Sequence, residues 1–453
     1  MREARDSIFT SEDTDLEIQR LFKEAQHLDW EPTKSHRFNV TIPPTVYPPR
    51  EDTDLFAKRL ILLGPGKGRK FLEIGCGTGA LSILASSLGW KVSACDVNPY
   101  AVAASRGNLE ANLQQGYVKE GGVGPETFPF KDKFDLIIWN LPYIPVDEID
   151  TVLGPMEEAA LLDTDNQGLA KRLLDCVNKN HLLATGGRIL ILGRANSIHS
   201  QNGFAARKWD GLNFENGEQL QIVCLWRPYE KSTNRYVEKT GSTNDDLLSS
   251  NEEVGTHIST SWQDSGRGRR DRTWTSIEGC YAGSWVVAKS DEINPGLLQL
   301  SGGLAVLKSI NINQLNLKWP NDILLDGRKL CGVLVEGRTT SNFTTAVLGI
   351  GINLNSSKEI QDFEMASLDE ITDLDFHEID SKLHSNIASL LEIGEYLPPV
   401  DFQSIKKDIL LQMQKFGKPT YQGVTYDSFD LTDIGELILG NQIVDDGEKV
   451  EWN

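Results

Sequence analysis

At 453 residues the chain exceeds one ordinary domain core, so two or three domains are expected. Its 39% hydrophobic and 24% charged residues exclude a disordered chain, and no apolar run reaches the roughly 18 residues of a membrane span. The net charge of −20 divides into −6 over residues 1–230 and −14 over residues 231–453, which excludes the basic surplus of a general nucleic-acid binder. The charged opening Met1–Asp6 leads into no apolar segment, so no signal peptide is expected. Six scattered cysteines with no Cys-x-x-Cys pair predict reduced thiols, a cytoplasmic setting and no structural zinc.

In chain order, Val46–Thr53 precedes a helix that Asp52 or Thr53 is expected to cap. Lys70–Ile74 reads as a strand, Ala80–Leu88 as a helix, Lys91–Asp96 as a strand and Pro99–Ala111 as a helix with proline in its first turn. Phe134–Asn140 has the continuous apolar character of a buried parallel strand. Gly168–Val177 follows as a helix, then strands at Arg188–Leu192 and Gln219–Trp226. This alternation predicts a doubly wound, mostly parallel α/β sheet that binds ligands at the carboxyl ends of its strands.

The first strand ends in Glu73-Ile74-Gly75-Cys76-Gly77-Thr78-Gly79, a turn that brings backbone N–H groups close to a ligand. Asp96 ends the next strand, where an acid can hold ribose hydroxyls. Asn140-Leu141-Pro142-Tyr143 ends the later apolar strand. Together these resemble motifs of class I S-adenosylmethionine-dependent methyltransferases. The resemblance implies that Glu73, Gly75, Gly77, Gly79, Asp96 and Asn140 bind the cofactor, with Asn140, Pro142 and Tyr143 catalytic. The Asn140 side-chain oxygen and the Leu141 carbonyl would accept both hydrogens of a target –NH2, and Tyr143 would stack on it. With Val46–Thr53, residues 38–228 resemble release-factor glutamine methyltransferases, which act on a Gly-Gly-Gln loop, so a peptide-chain release factor is an implied partner. Leu141 departs from that family's Asn-Pro-Pro-Tyr and matches the form of RNA adenine dimethylases. Methylation of RNA adenine, or a half that only binds the cofactor or a partner, therefore remain alternatives.

In the second half, Arg235–Thr240 reads as a strand and Ser242 or Thr243 as the cap of a helix running through Leu248. Gly255–Gln263 reads as a strand feeding Gly266–Trp274, where Arg267, Arg269, Arg270 and Arg272 crowd together with Gly266 and Gly268. Arginine forks suit phosphate oxygens, and glycine permits close approach of a ligand. Ser284–Ala288 reads as a strand and Gly296–Ile310 as a helix. Ile323–Leu325 and Arg328–Glu336 form a hairpin across Asp326-Gly327, and Ala346–Asn353 a further strand.

Ser242-Thr243-Asn244, Gln263, Gly266–Trp274, Lys318–Asp322, Lys329–Glu336 and Gly349–Asn353 resemble, in order, the motifs of biotin protein ligases. The resemblance implies a biotin-[acetyl-CoA-carboxylase] ligase that forms biotinyl-5'-AMP from biotin and Mg-ATP, then biotinylates a lysine of a biotin carboxyl carrier domain. It implies catalysis by Lys318, Arg267 and Arg269. Biotin would be bound by Ser242, Thr243, Asn244, Gln263, Gly266, Arg267 and Gly332. ATP would be bound by Arg269, Arg272, Trp274, Lys318, Asn321 and Asn353. Magnesium would enter with ATP, and no protein metal ligands are expected. Trp319 is expected in the core. Asp271 departs from the family's glycine, which bears on how tightly the adenylate is retained.

The expected domains are an extension at 1–37, a methyltransferase at 38–230, an α+β ligase domain at 231–400, and a helix with a small β-rich tail at 401–453. Residues 358–380 are acidic and read as an exposed insertion or helix edge. No helix-turn-helix precedes the ligase half, so no DNA binding is expected, and no membrane association.

Overall fold

The computed structural model describes residues 24–124, 128–142, 168–195, 197–201, 203–215, 217–269, 273–274, 279–341, 343–357 and 365–453. Contacts divide the chain into two units, Met1–Arg227 with Tyr396–Pro398, and Pro228–Glu395 with Pro399–Asn453. Tyr143, the cluster Arg270, Asp271 and Arg272, and part of the acidic 358–380 stretch lie outside the described residues.

The first unit opens with an antiparallel hairpin, β1 (Gln26–Thr33) and β2 (His36–Ile42), running across the point where the sequence suggests an extension ends. Helix α1 (Glu51–Leu62) follows, with Arg50 as its N-cap. Asp52 and Thr53 therefore sit inside the first turn, a correction to the cap expected there. The Arg50 backbone N–H reaches back to Thr53 Oγ1 at 3.4 Å, so Thr53 closes the turn from within. Then come β3 (Lys70–Ile74), α2 (Ala80–Ser87), β4 (Lys91–Asp96), α3 (Pro99–Ala111), β5 (Gly116–Glu120), β6 (Phe134–Asn140), α4 (Leu169–Lys179), β7 (Leu183–Arg194), β8 (Ala205–Asn213) and β9 (Gln219–Trp226). Seven strands form one sheet in the order β5-β4-β3-β6-β7-β9-β8, parallel as far as β7 and antiparallel at β9 and β8. The order reverses between β3 and β6. A doubly wound sheet opens its ligand crevice at that point, beyond the strands' carboxyl ends.

The second unit is built on β10 (Asn234–Tyr236), α5 (Thr243–Ser249), β11 (His257–Thr260), β12 (Gly266–Arg267), β13 (Thr273–Trp274), β14 (Cys280–Ser290), α6 (Pro295–Ile310), β15 (Leu315–Lys318), β16 (Asp322–Leu325), β17 (Arg328–Thr339) and β18 (Thr344–Asn353). After these come α7 (Phe376–Leu391), α8 (Phe402–Phe416) and six short strands between Pro419 and Trp452. The main sheet runs β10-β11-β14-β18-β17-β16-β15, antiparallel except at β10–β11. Two strands, β10 and β11, are shorter than their sequence suggests, β11 covering only His257–Thr260 of the expected Gly255–Gln263. β10 stops at Tyr236, and Thr240 instead bridges to Gln263, because the chain must turn there to bring Ser242 to the start of α5. Of the segment expected to be an exposed insertion or helix edge, residues 376–380 begin α7, with His377 and Glu378 exposed and Ile379 buried.

Side chains alternate across the sheet, and β14 shows the result. Tyr281 and Trp285 point to α7, while Ala282 and Ser284 point to the opposite face. Helix α6 covers the α7 side through Gly302 and Gly303. A Cβ on Gly302 would lie 2.7 Å from Leu348 and one on Gly303 2.8 Å from Leu317. The helix-propensity cost of two interior glycines, about 1 kcal/mol each, is offset by this close seating on an apolar sheet face.

Beneath α7 lies a buried polar cluster. The His257 ring stacks on Trp285 with centroids 4.1 Å apart, and its Nε2 lies 2.8 Å from Asp380 Oδ1, which also accepts from the Tyr281 hydroxyl at 2.6 Å. The Trp285 indole N–H donates to His384 Nδ1 at 3.1 Å, a bond that needs a lone pair on that nitrogen. Burial, with His257 nearby, holds His384 down to about 4. The folded chain thus binds fewer protons at His384 than the unfolded chain between about pH 6.5 and 4. Stability from this group is full above that window and is lost as pH falls through it, by about 1–3 kcal/mol. Hydrogen exchange of α7 and β14 amides is expected to speed up from pH 7 to 4.5, once corrected for the intrinsic rate. His384→Gln, which can still accept from Trp285, should flatten that dependence.

Candidate functional sites

In the first unit a cavity of about 320 Å³ opens at the crevice between β3 and β6. The turn after β3 holds Gly75, Gly77 and Gly79 at φ of 65°, 52° and 76°, values that side chains with a Cβ adopt only under strain. Gly79 also starts α2, packed so closely on Ser105 that a Cβ would sit 2.8 Å from its hydroxyl. Asp96 is buried at the cavity wall. Its Oδ2 accepts from Gly77 N–H at 2.8 Å and its Oδ1 from Asn98 N–H at 2.9 Å. Burial pushes its carboxyl above the usual range, and these backbone donors pull it back. Val97 is a third backbone donor to this carboxylate, which has about four acceptor sites and so keeps one beyond those bonds.

Glu73 is buried and accepts from Ser82 Oγ at 2.5 Å. Burial raises it to about 8, Asp96 adds to the rise, and the Ser82 bond opposes it. Asn140, at the tip of β6, donates through Nδ2 to Asp52 Oδ2 at 2.8 Å, while its Oδ1 is buried with no partner. Leu141 and Pro142 also line the cavity, and the Leu141 side chain belongs to the core beside Trp139 and Ile198. Tyr143 lies outside the described residues. The cavity wall also includes Asp52 and Gly121–Gly124, to which sequence reading gave no site role. The glycine cluster just past β5 was a signal that could have marked that wall.

In the second unit a cavity of about 580 Å³ lies on the sheet face opposite α6. Its floor follows one line of register across five strands: Ala282 on β14, Gly351 on β18, Gly332 on β17, Asp322 on β16 and Lys318 on β15. Directly opposed residues share a face, so this line forms a shallow trough of small side chains that ends in an ammonium group. The Trp274 ring lies over the glycines. A Cβ on Gly351 would come within 2.6 Å of it and one on Gly332 within 3.2 Å. The indole Nε1 is buried without a partner.

One wall is a chain of hydrogen bonds. Ser242 caps α5, and Thr243 donates through N–H and hydroxyl to Gln263 Oε1 at 2.8 and 3.1 Å. Ser284 Oγ lies 2.6 Å from both Thr243 Oγ1 and Asn244 Oδ1. Asn244 Nδ2 donates to Glu336 Oε2 at 2.7 Å, and Glu336 Oε1 accepts from Arg267 at 3.0 Å. Arg267 also pairs with Asp245, so two carboxylates hold the start of the arginine hairpin. Lys329 pairs with Asp322 at 2.7 Å. Lys318 makes no ion pair within 4 Å among the described residues.

Of the site residues expected from sequence, Ser242, Thr243, Asn244, Gln263, Arg267, Arg269, Trp274, Lys318, Asn321 and Gly332 line this cavity. Gly266 lies just behind it, pressed against Trp274 in the β12–β13 pair. The Asn321 side chain donates to the Val333 carbonyl at 3.1 Å, tying its turn to β17. Asn353 does not line the cavity. Its amide donates to the Ala366 carbonyl at 3.0 Å and is buried, two positions along β18 from the trough row and opposite Cys280. Arg272 lies outside the described residues. Sequence reading missed the roles of Asp245, Ser284 and Glu336. It also missed a wall from a 3-10 turn and the strand after it, Asp446–Glu448 and Val450–Trp452. No group of three or more His, Cys, Asp or Glu that could hold a metal exists among the described residues.

Residues 51–156 match the methyltransferase small domain family, and residues 228–353 the biotin/lipoate A/B protein ligase family. A Methanocaldococcus jannaschii protein described as a protein N5-glutamine methyltransferase is 36% identical over 192 residues, 41% of this chain and 93% of that one. A bifunctional ligase/repressor of Bacillus spizizenii is 33% identical over 130 residues, 27% of this chain. A biotin-[acetyl-CoA-carboxylase] ligase of Mycobacterium tuberculosis is 35% identical over 145 residues, 29% of this chain. The chain spans 40% and 53% of those two ligases' own lengths.

Because Glu73 is raised to about 8, its contribution to stability is full below its unfolded value of about 4.5 and is lost as pH rises through 8. Glu73→Gln keeps an acceptor for Ser82 and has no charge to bury. Its first-unit urea midpoint is expected to exceed wild type at pH 8.5, with the gap closing toward pH 5.

Proposed function

We infer, for a chain that belongs to the protein N5-glutamine methyltransferase family through its first unit and to the biotin/lipoate A/B protein ligase family through residues 228–353, that it is a bifunctional enzyme. The second unit activates biotin with Mg-ATP and passes it to a lysine of a carrier domain. The first methylates a glutamine side-chain amide.

The observation that carries the ligase reading is the trough ending at Lys318. A neutral bicycle with a planar ureido ring fits a floor of glycines. Donors and acceptors at Ser242, Thr243 and Gln263 suit a ureido group, which needs both. Lys318, with no carboxylate partner among the described residues, meets the biotin carboxylate and the α-phosphate, where two anions must be brought together. Arg269 on the hairpin adds charge to the phosphates, and magnesium arrives with the nucleotide. Displacement of pyrophosphate gives biotinyl-5'-AMP, and the carrier lysine amine then attacks the mixed anhydride and expels AMP.

The unpartnered Asn140 oxygen carries the methyltransferase reading. The cavity residues fit S-adenosylmethionine: Asp96 keeps an acceptor site for the ribose hydroxyls, and the Gly75–Gly79 turn leaves room for backbone approach. Bound there, the cofactor supplies a methyl group on a sulfonium centre. Asn140 Oδ1 and the Leu141 carbonyl accept the two amide hydrogens, which orients the acceptor nitrogen.

Incubating the full chain with biotin, Mg-ATP and a carrier domain should add one biotinyl mass to the carrier. Lys318→Ala should slow this by about 100-fold or more. An unmodified carrier with wild-type protein would sink the ligase reading. In a parallel assay, methyl transfer to a Gly-Gly-Gln peptide should fall by about 100-fold in Asn140→Ala. Transfer to RNA but to no glutamine peptide would replace that acceptor assignment.

A further inference from the structure

An asparagine amide has two ends of nearly equal shape and opposite hydrogen-bonding character, so its chemistry depends on what fixes its rotation. In the first unit that fixing group is Asp52. It is 4% exposed and stands in the first turn of α1. Its Oδ1 accepts from the Thr53 N–H at 2.7 Å and lies 3.3 Å from the Thr53 hydroxyl, which sets the carboxylate plane. Its Oδ2 accepts from Asn140 Nδ2 at 2.8 Å. The backbone of Asn140 is meanwhile held by pairing of β6 with β7, where it faces Leu192.

An ionised carboxylate only accepts. Turning the Asn140 amide over would set its oxygen against Asp52 and leave two buried acceptors opposed, a costly arrangement. The end left facing the cavity is Oδ1, which is buried and unpartnered.

We infer that Asp52 is a positioning residue that locks Asn140 with its oxygen toward the acceptor, and that this lock makes the first unit prefer an acceptor bearing –NH2 over the matching carboxylate. The inference rests on the reading of this unit as a glutamine-amide methyltransferase. A glutamine side chain offers hydrogens to Asn140 Oδ1. A glutamate side chain offers only oxygens and is repelled. If Asp52 were absent, the Asn140 amide could rotate and present its NH2 end, which a carboxylate would accept.

The test uses the full chain with S-adenosylhomocysteine bound and measures binding of two peptides that differ only in Gly-Gly-Gln or Gly-Gly-Glu. Wild-type protein should bind the glutamine peptide about tenfold more tightly, the worth of one buried hydrogen bond. In Asp52→Ala the ratio should fall toward one, with affinity for S-adenosylhomocysteine unchanged within about threefold and methyl transfer slowed about 10- to 100-fold. Asp52→Asn, whose carbonyl can still accept from Asn140 Nδ2, should recover much of the ratio, and Asp52→Leu, which keeps the bulk but offers no acceptor, should lose it and replaces the alanine variant if that one fails to bind cofactor. A wild-type protein without preference, or an Asp52→Ala protein that keeps it, overturns the proposal. Failure of the wild-type protein to methylate any glutamine peptide would instead strike the functional reading, and the binding ratio would still decide the role of Asp52.

Discussion

The second unit depends on strand register more than on any one residue. Ala282, Gly351, Gly332, Asp322 and Lys318 come from five strands spread over the sequence, yet pairing sets them in one row. Sliding one of these strands by a single position would turn its cavity residue to the α6 side and bring a neighbouring residue up in its place. On β18 the substitute would be Ile350, and on β17 Val333, both buried now against the helical layer. The glycines of α6 reinforce this choice, because their close seating accepts Leu348 and Leu317 in only one registration. The site and the core are two sides of one decision about alignment.

Charge in that site is largely self-contained. Arg267 is committed to Asp245 and Glu336, and Lys329 to Asp322. Two of the basic residues around the cavity therefore order protein before they meet any ligand. Glu336 joins the arginine hairpin to Asn244 through one carboxylate, so the hairpin's position and the polar wall are mechanically linked. The first unit uses the same device at Asp52, where a buried carboxylate orients an amide.

Much of the architecture was legible from local signals. The strand and helix alternation of the first unit, the Ser242 cap, the Asp326-Gly327 turn and the glycine turn at Gly75–Gly79 each follow from a few adjacent residues. What escaped was long-range pairing. Asp52 looked like a cap because it precedes a helical pattern, and only its meeting with Asn140, 88 residues away, shows its use. Glu336 meets Asn244 across 92 residues. The Asp446–Trp452 wall belongs to a 3-10 turn and a short strand whose contribution depends on how they fold back. Asn353, which the family resemblance gives to the nucleotide, has an amide that closes on the Ala366 carbonyl, another pairing that adjacent residues do not reveal.

Leu141 gives the Asn-Leu-Pro-Tyr segment its unusual form, and its side chain is packed with Trp139 and Ile198 while only its backbone stands where an acceptor amide would be held. Variation at this position among related sequences should then track the volume available in the core behind β7, where Gly193 leaves room beside the leucine methyls. In this chain the leucine side chain is turned inward, with one methyl 3.7 Å from where a Cβ on Gly193 would stand.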